Sequence, residues 1–321
     1  MIRKAMVIAV IQLQLWRRNA KVSFVFALGL VLAGLLTGKS MEFALAHESP
    51  VQLLEPFVWT FGDSGSVLLC SCLLLLLFSD APFVNSATPF LLARADRKAW
   101  LLGQVFYVIL STVIYLLWIL FCTVILCAKH AFAGNQWSRT AAILGYSKAG
   151  AQFYLPSSAR TMEQTTPLGC AGLIFALLLG YSLSLSFLML WLGLRGGGRA
   201  AFLGGLGFSV YGFLLRAETV QALLHLNPTE SFRANVLLGW ISPLNHATYP
   251  MHNFGYDRLP TLLVSILLFF GLLQMQLLCA VFAVRHYHFA FSGGGRAYDH
   301  GRPRRQTLSG SDCTAGRELQ L

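Results

Sequence analysis

The chain has 321 residues, of which 56% are apolar and only 12% charged, with a mean hydropathy of +0.62 and a formal net charge of +11. Soluble domains carry about 25% charged residues, so this composition argues against an ordinary soluble enzyme and against a disordered chain. The charges are bunched. Between them lie uncharged stretches long enough for the roughly 20 apolar residues that a helix needs to cross a bilayer core of about 30 Å.

Residues 2–20 (IRKAMVIAVIQLQLWRRNA) place Ile2, Met6, Val10, Leu13 and Trp16 at helical spacing, flanked by Arg3, Lys4, Arg17 and Arg18. This pattern predicts an N-terminal interfacial amphipathic helix rather than a cleaved signal peptide. Uncharged windows then predict six transmembrane helices, at about 22–38, 58–79, 101–126, 168–193, 200–216 and 260–284. The uncharged windows behind the second (64–79) and fifth (200–215) are short, and the second span is extended past Asp63, which is expected close to the outer interface. Runs such as Leu73 to Phe78 (LLLLLF) do not alternate as barrel strands would, and a helix satisfies its own backbone in lipid. The expected fold is an all-α polytopic membrane protein, with one transmembrane domain over 1–290. Residues 291–321, rich in Gly, Ser and Arg, read as a disordered cytoplasmic tail.

With the N-terminus taken as cytoplasmic, sixteen of the 24 basic and five of the 13 acidic residues fall on the inner side. The whole basic excess then lies on one face, as the positive-inside rule requires. The high pI is therefore read as membrane topology and not as nucleic-acid binding. Trp16, Trp59, Trp100, Trp137, Trp191 and Trp240 fall near span ends, where aromatic belts form.

Several local patterns invite sharper readings. Residues 33–40 (AGLLTGKS) fit a relaxed phosphate loop, but that motif needs a strand before it and a helix after it. Here it ends a span, so nucleotide binding by this chain is not expected. His225, His246 and His252 lie in one outer loop, without metalloprotease spacing, and no metal site is expected there. Six of the seven cysteines lie in spans and read as small apolar residues. The spans hold almost no Asp or Glu, which argues against proton- or sodium-coupled transport. They hold neutral polar groups instead, including Gln104, Tyr181, Ser184 and Gln274. Such groups serve equally as the lining of a substrate path or as hydrogen bonds between helices.

The layout, together with residues 78–84 (FSDAPFV), 94–107 (RADRKAWLLGQVFY) and 240–250 (WISPLNHATYP), resembles the ABC-2-type permeases, the membrane subunits of bacterial ABC exporters. The resemblance covers roughly residues 1–290. It implies a permease with no catalytic residue and no bound cofactor, in the cytoplasmic membrane with both termini inside. A cytoplasmic ABC ATPase subunit would use the ATP, and a second permease copy or paralogue would complete the path. It implies further that the loop at about 80–100 docks on the ATPase, through an apolar centre at Phe90, Leu91 and Leu92 and a basic edge at Arg94, Arg97 and Lys98. Residues 90–98 are expected to form a short helix there. The alternative is a membrane-embedded enzyme with its site near His225, His246 and His252, or a binding or immunity protein, in either case without an ATPase.

Overall fold

The computed structural model describes residues 1–84, 88–92, 96–147, 159–215, 217–223, 225, 231–255 and 257–289. The tail expected over 291–321 lies outside the described residues. Within them the protein is nearly all helix. Four helices are long and apolar enough to cross a membrane: Ala20–Ala46, Arg97–His130, Pro167–Leu214 and Leu262–Arg285. A bent pair, Glu55–Phe61 and Ser64–Leu77, adds a fifth candidate.

Helix α1 (Ile2–Gln14) ends in a 3-10 turn, Leu15–Arg18. The chain then extends at Asn19, whose side chain accepts from Lys21 N and caps α2 (Ala20–Ala46). The face of α1 that packs on the protein is Ala5, Ile8, Ala9 and Gln12, which leaves most of the bulky apolar face read from the sequence turned away from the bundle. Ile2, Met6 and Val10 point outward, 66%, 51% and 46% exposed. The small residues allow a close approach: a Cβ at Gly103 would meet Ile8 at 2.7 Å. Trp16 still turns inward, its indole N–H donating to Tyr107 Oη at 3.0 Å.

The second predicted span is two helices. α3 (Glu55–Phe61) and α4 (Ser64–Leu77) meet at 87°. Asp63 adopts an extended conformation between them and accepts from Ser66 N, so the charge that bounds the apolar window also starts the helix. After a short helix α5 (Thr88–Leu92), α6 (Arg97–Cys127) runs through the centre of the molecule. α7 (Arg139–Tyr146) and α8 (Ala159–Gln164) follow on the far side.

α9 (Pro167–Leu214) has 48 residues, about 72 Å of helix and far more than a bilayer core requires. It does not run straight. Gly197 sits at φ 74, ψ −173, a conformation open to glycine and costly for other residues. Beyond it the chain folds back on itself. Gly205 lies against Met189, Gly204 against Leu192, and the Tyr181 and Phe208 rings are 5.6 Å apart. These contacts are those of an antiparallel helical hairpin, and the windows 168–193 and 200–216 fall one on each arm. The remaining helices are α10 (Ala217–Leu223), α11 (Ser231–Ile241), α12 (Pro243–Ala247) and α13 (Leu262–Arg285). A core including Val25, Leu74, Tyr115, Ile119, Ile174 and Leu185 joins α2, α4, α6 and α9.

The bundle has two differently built ends. One gathers α1, residues 79–84, the Gly197 turn and the end of α13; Gly193 and Gly198 approach the carbonyls of Ala81 and Ser79. The other is closed by Glu55. Its carboxylate accepts from Gln52 N at 3.1 Å, Ser138 N at 2.6 Å and Ser138 Oγ at 2.6 Å. Beside it Val51–Gln52 pairs in parallel with Ala131–Phe132.

Two outcomes test this account by thermal unfolding in detergent. Gly197→Ala is expected to destabilise by about 1–3 kcal/mol, whereas Gly207→Ala, in open space on a regular helical turn, leaves stability unchanged or slightly raised. Glu55→Ala, which strands the Ser138 and Gln52 donors, is expected to cost about 2–3 kcal/mol.

Candidate functional site

The first candidate surface is the end that carries α1. Residues 79–84 are held there from three helices. Lys21 of α2 pairs with Asp80 and donates to Ser79 Oγ at 3.1 Å. Gln12 of α1 and Gln104 of α6 both donate to the Phe83 carbonyl, at 3.2 and 3.5 Å. The short helix beyond is described over Thr88–Leu92, with Pro89 in its first turn; Asp96 begins α6, so residues 97 and 98 of the expected 90–98 helix belong to α6, and residues 93–95 lie outside the described residues. Phe90 projects outward, 76% exposed. Leu92 packs into an apolar cluster with Ile8, Trp100, Leu194 and Val284. Arg97 donates to the Arg285 carbonyl at 3.0 Å and lies over the Phe289 ring, capping the end of α13. Lys98 is exposed. Arg94 and the side chain of Leu91 lie outside the described residues.

The second candidate is the polar interior. Gln104 is fully buried, with Oε1 unpartnered. Tyr181 is also fully buried, its hydroxyl beside those of Ser71 and Ser209 without a well-formed hydrogen bond. Ser184 donates to the Gly180 carbonyl of its own helix at 2.8 Å. Gln274 faces outward from α13. The four therefore do not converge within one chain. What does converge is a seam between α6 and the first arm of α9, where Thr112 and Ser186 hydroxyls are 3.4 Å apart and Ser182 Oγ is unpartnered. Gln12, whose Oε1 is likewise unpartnered, was not expected from the sequence. Its only signal is a polar residue on the small-residue face of α1.

Residues 33–40 lie within the continuous helix α2, where Thr37 Oγ donates to the Ala33 carbonyl at 2.6 Å. The helix uses the backbone amides that a phosphate cradle would need.

At the opposite end the three outer-loop histidines separate. His225 is exposed in a turn at φ 50. His246 and His252 close on a shared partner, Ser265 in the first turn of α13. Ser265 Oγ lies 2.7 Å from His246 Nδ1 and 2.8 Å from His252 Nε2, with one proton to donate between them. The remaining ring nitrogens face the carbonyls of Trp240 at 3.1 Å and Tyr249 at 3.0 Å. Ser242 caps α12, accepting from Asn245 N, with Pro243 at the first helical position, so the segment 242–252 folds as a compact buried plug. Trp59, Asp63, Asn245, Thr248 and Tyr249 line a cavity of about 240 Å³ beside it. Among the described residues no three His, Cys, Asp or Glu side chains come together to hold a metal. Ser265 is fully buried, so it is not presented to a substrate as a nucleophile would be.

Burial holds both imidazoles below the ordinary histidine range, and His252 is held further down by His246 beside it. The rings are neutral in the fold, while the unfolded chain takes up protons near 6.5. Stability is therefore fully present above about pH 6.5 and is lost as pH falls below it. The unfolding midpoint is expected to drop between pH 7 and 5, and a His246→Asn, His252→Gln double variant to show a flatter profile over that window.

No family model, curated protein or solved structure matches the chain.

Proposed function

We propose that this chain is the membrane-spanning permease subunit of an ATP-driven exporter of the ABC-2 type, powered by a separate cytoplasmic ATPase. The observation that carries the proposal is the tethering of residues 79–84 and of Arg97 at one end of the bundle. Residues 79–84 are tied to α1 through Gln12 and to α2 through Lys21, and Arg97 at the start of α6 is tied to the end of α13. Phe90 and Lys98, on either side of Asp96, are both exposed. A partner seated on Phe90 and displaced by ATP binding would pull on several helices through hydrogen bonds already in place.

On this reading the chain crosses six times, through α2, the bent α3 and α4, α6, the two arms of α9, and α13. An even number returns the chain to its starting side, in keeping with α1, residues 79–84, the Gly197 turn and the end of α13 sharing one face. Arg3, Lys4, Arg17, Arg18, Lys21, Arg97, Lys98, Arg195, Arg199 and Arg285 lie at that end, and the positive-inside rule then favours a cytoplasmic face. The outward face of α1, with Ile2, Met6 and Val10, then rests in the inner headgroup layer. The buried α6–α9 seam of Thr112, Ser182 and Ser186, with an unpartnered oxygen on Ser182, would offer polar groups to a substrate once the two helices move apart.

The test is co-purification of the tagged chain from its native membrane in mild detergent. A soluble ATPase is expected in stoichiometric amount, and Phe90→Asp is expected to weaken its binding at least about tenfold, roughly 1.4 kcal/mol, without lowering the unfolding midpoint. Full ATPase binding by Phe90→Asp combined with Lys98→Glu would overturn the docking assignment.

A further inference from the structure

The proposed transport role makes no use of the cavity between the α3–α4 elbow and the plug of residues 242–252, yet its lining has one chemical character. Its volume is about 240 Å³. Drug-sized ligands fill pockets of about 300–1,000 Å³, so the space suits a molecule of one ring and a short arm rather than a peptide or a lipid. Asp63 is the only charged side chain in the lining. Its carboxylate accepts from Ser66 N at 3.1 Å, and among the described residues no basic side chain pairs with it. The N-terminus of α4 offsets roughly half a charge, which leaves this side of the cavity net negative.

The opposite wall comes from the plug. Asn245 Nδ2 donates to the Leu238 carbonyl at 3.3 Å, and Thr248 Oγ1 donates to the Leu244 carbonyl at 2.9 Å. With those protons engaged inside the protein, Asn245 Oδ1 and Thr248 Oγ1 remain as acceptors. Trp59 and Tyr249, both buried, add aromatic surface. Acceptor oxygens, a carboxylate without a cation and aromatic surface together match an ammonium group on a small apolar body. An anion would meet the Asp63 carboxylate with no base in the lining to offset it.

We infer that this cavity binds a small organic cation, a primary ammonium on a ring-sized apolar body, with Asp63 as its counter-ion and Asn245 and Thr248 as acceptors. Seated there, the cation joins the α3–α4 elbow to the plug. The site is independent of the permease reading, since one chain supplies all of it.

The probe is phenethylammonium, titrated calorimetrically into the full chain in lipid nanodiscs, with empty nanodiscs as the blank for partition into lipid. Saturable binding of one molecule per chain is expected, with 2-phenylethanol, the neutral analogue, at least about tenfold weaker because it forgoes the charge-assisted bond. Asp63→Asn removes the charge and keeps the cap, since Asn caps a helix as well as Asp does. Its unfolding midpoint is expected to be unchanged and its affinity for phenethylammonium at least about tenfold lower. Glu42→Gln, which removes an exposed acid of α2 outside the cavity, is expected to leave that affinity unchanged. Equal affinity for the charged and neutral probes overturns the inference. So does unchanged binding by Asp63→Asn, or the absence of saturable binding at millimolar phenethylammonium.

Discussion

Hydrocarbon supplies no hydrogen-bond partner, and the fold is organised around that constraint. Long helices meet it unaided. Each place where the chain turns must meet it with a side chain or a special backbone conformation. Asn19 caps α2, Asp63 caps α4, Ser242 caps α12 and Thr261 caps α13. Gly197 reverses α9 in a conformation that keeps both arms helical almost to the turn. Glu55 accepts three hydrogen bonds from two residues, Gln52 of its own segment and Ser138 of the segment before α7. Removing one of these devices exposes backbone groups that have no other partner nearby.

The same constraint separates the two ends by character. The end bearing α1 is a set of tethers between helices, with hydrogen bonds crossing from Gln12 and Arg97 and a hydrogen bond and an ion pair from Lys21. Such contacts can shift together. The opposite end is a set of closures, in which the Glu55 carboxylate and the His246–Ser265–His252 contact each bind several segments at once. A transporter that is driven from one face and gates at the other has use for both, and the proposed function assigns the tethers to the ATPase side.

Much of the helix pattern was legible in the sequence, because uncharged windows bounded by charges are what a bilayer selects. The ends of α6 and α13 lie close to those windows. The break at Gly62–Asp63 was less legible: Asp63 read as a boundary charge near the interface, whereas it is a cap between two helices at right angles. The α9 reversal has a local signal in Gly196, Gly197 and Gly198 between Arg195 and Arg199. On α1 the apolar face at Ile2, Met6 and Val10 was legible, and the structure leaves it turned away from the bundle. The packing face at Ala5, Ile8, Ala9 and Gln12 was not, because small residues allow close helix contact but carry little apolar signal. The site residues were legible only as types. Nothing in the spacing tells that Ser184 bonds its own helix, that Arg97 caps α13, or that Gln274 faces out, since those depend on how helices far apart in sequence are rotated.

The most direct measurement of the account is the sidedness of its two ends. Phe90→Cys and Arg258→Cys, each the single cysteine in an otherwise cysteine-free chain, would be exposed to a membrane-impermeant thiol reagent in intact cells and after lysis; both positions are exposed in the fold. The account predicts labelling at position 258 in intact cells and at position 90 only after lysis. Labelling of both positions from the same side, or of position 90 alone in intact cells, would contradict the six-crossing arrangement and with it a cytoplasmic docking surface.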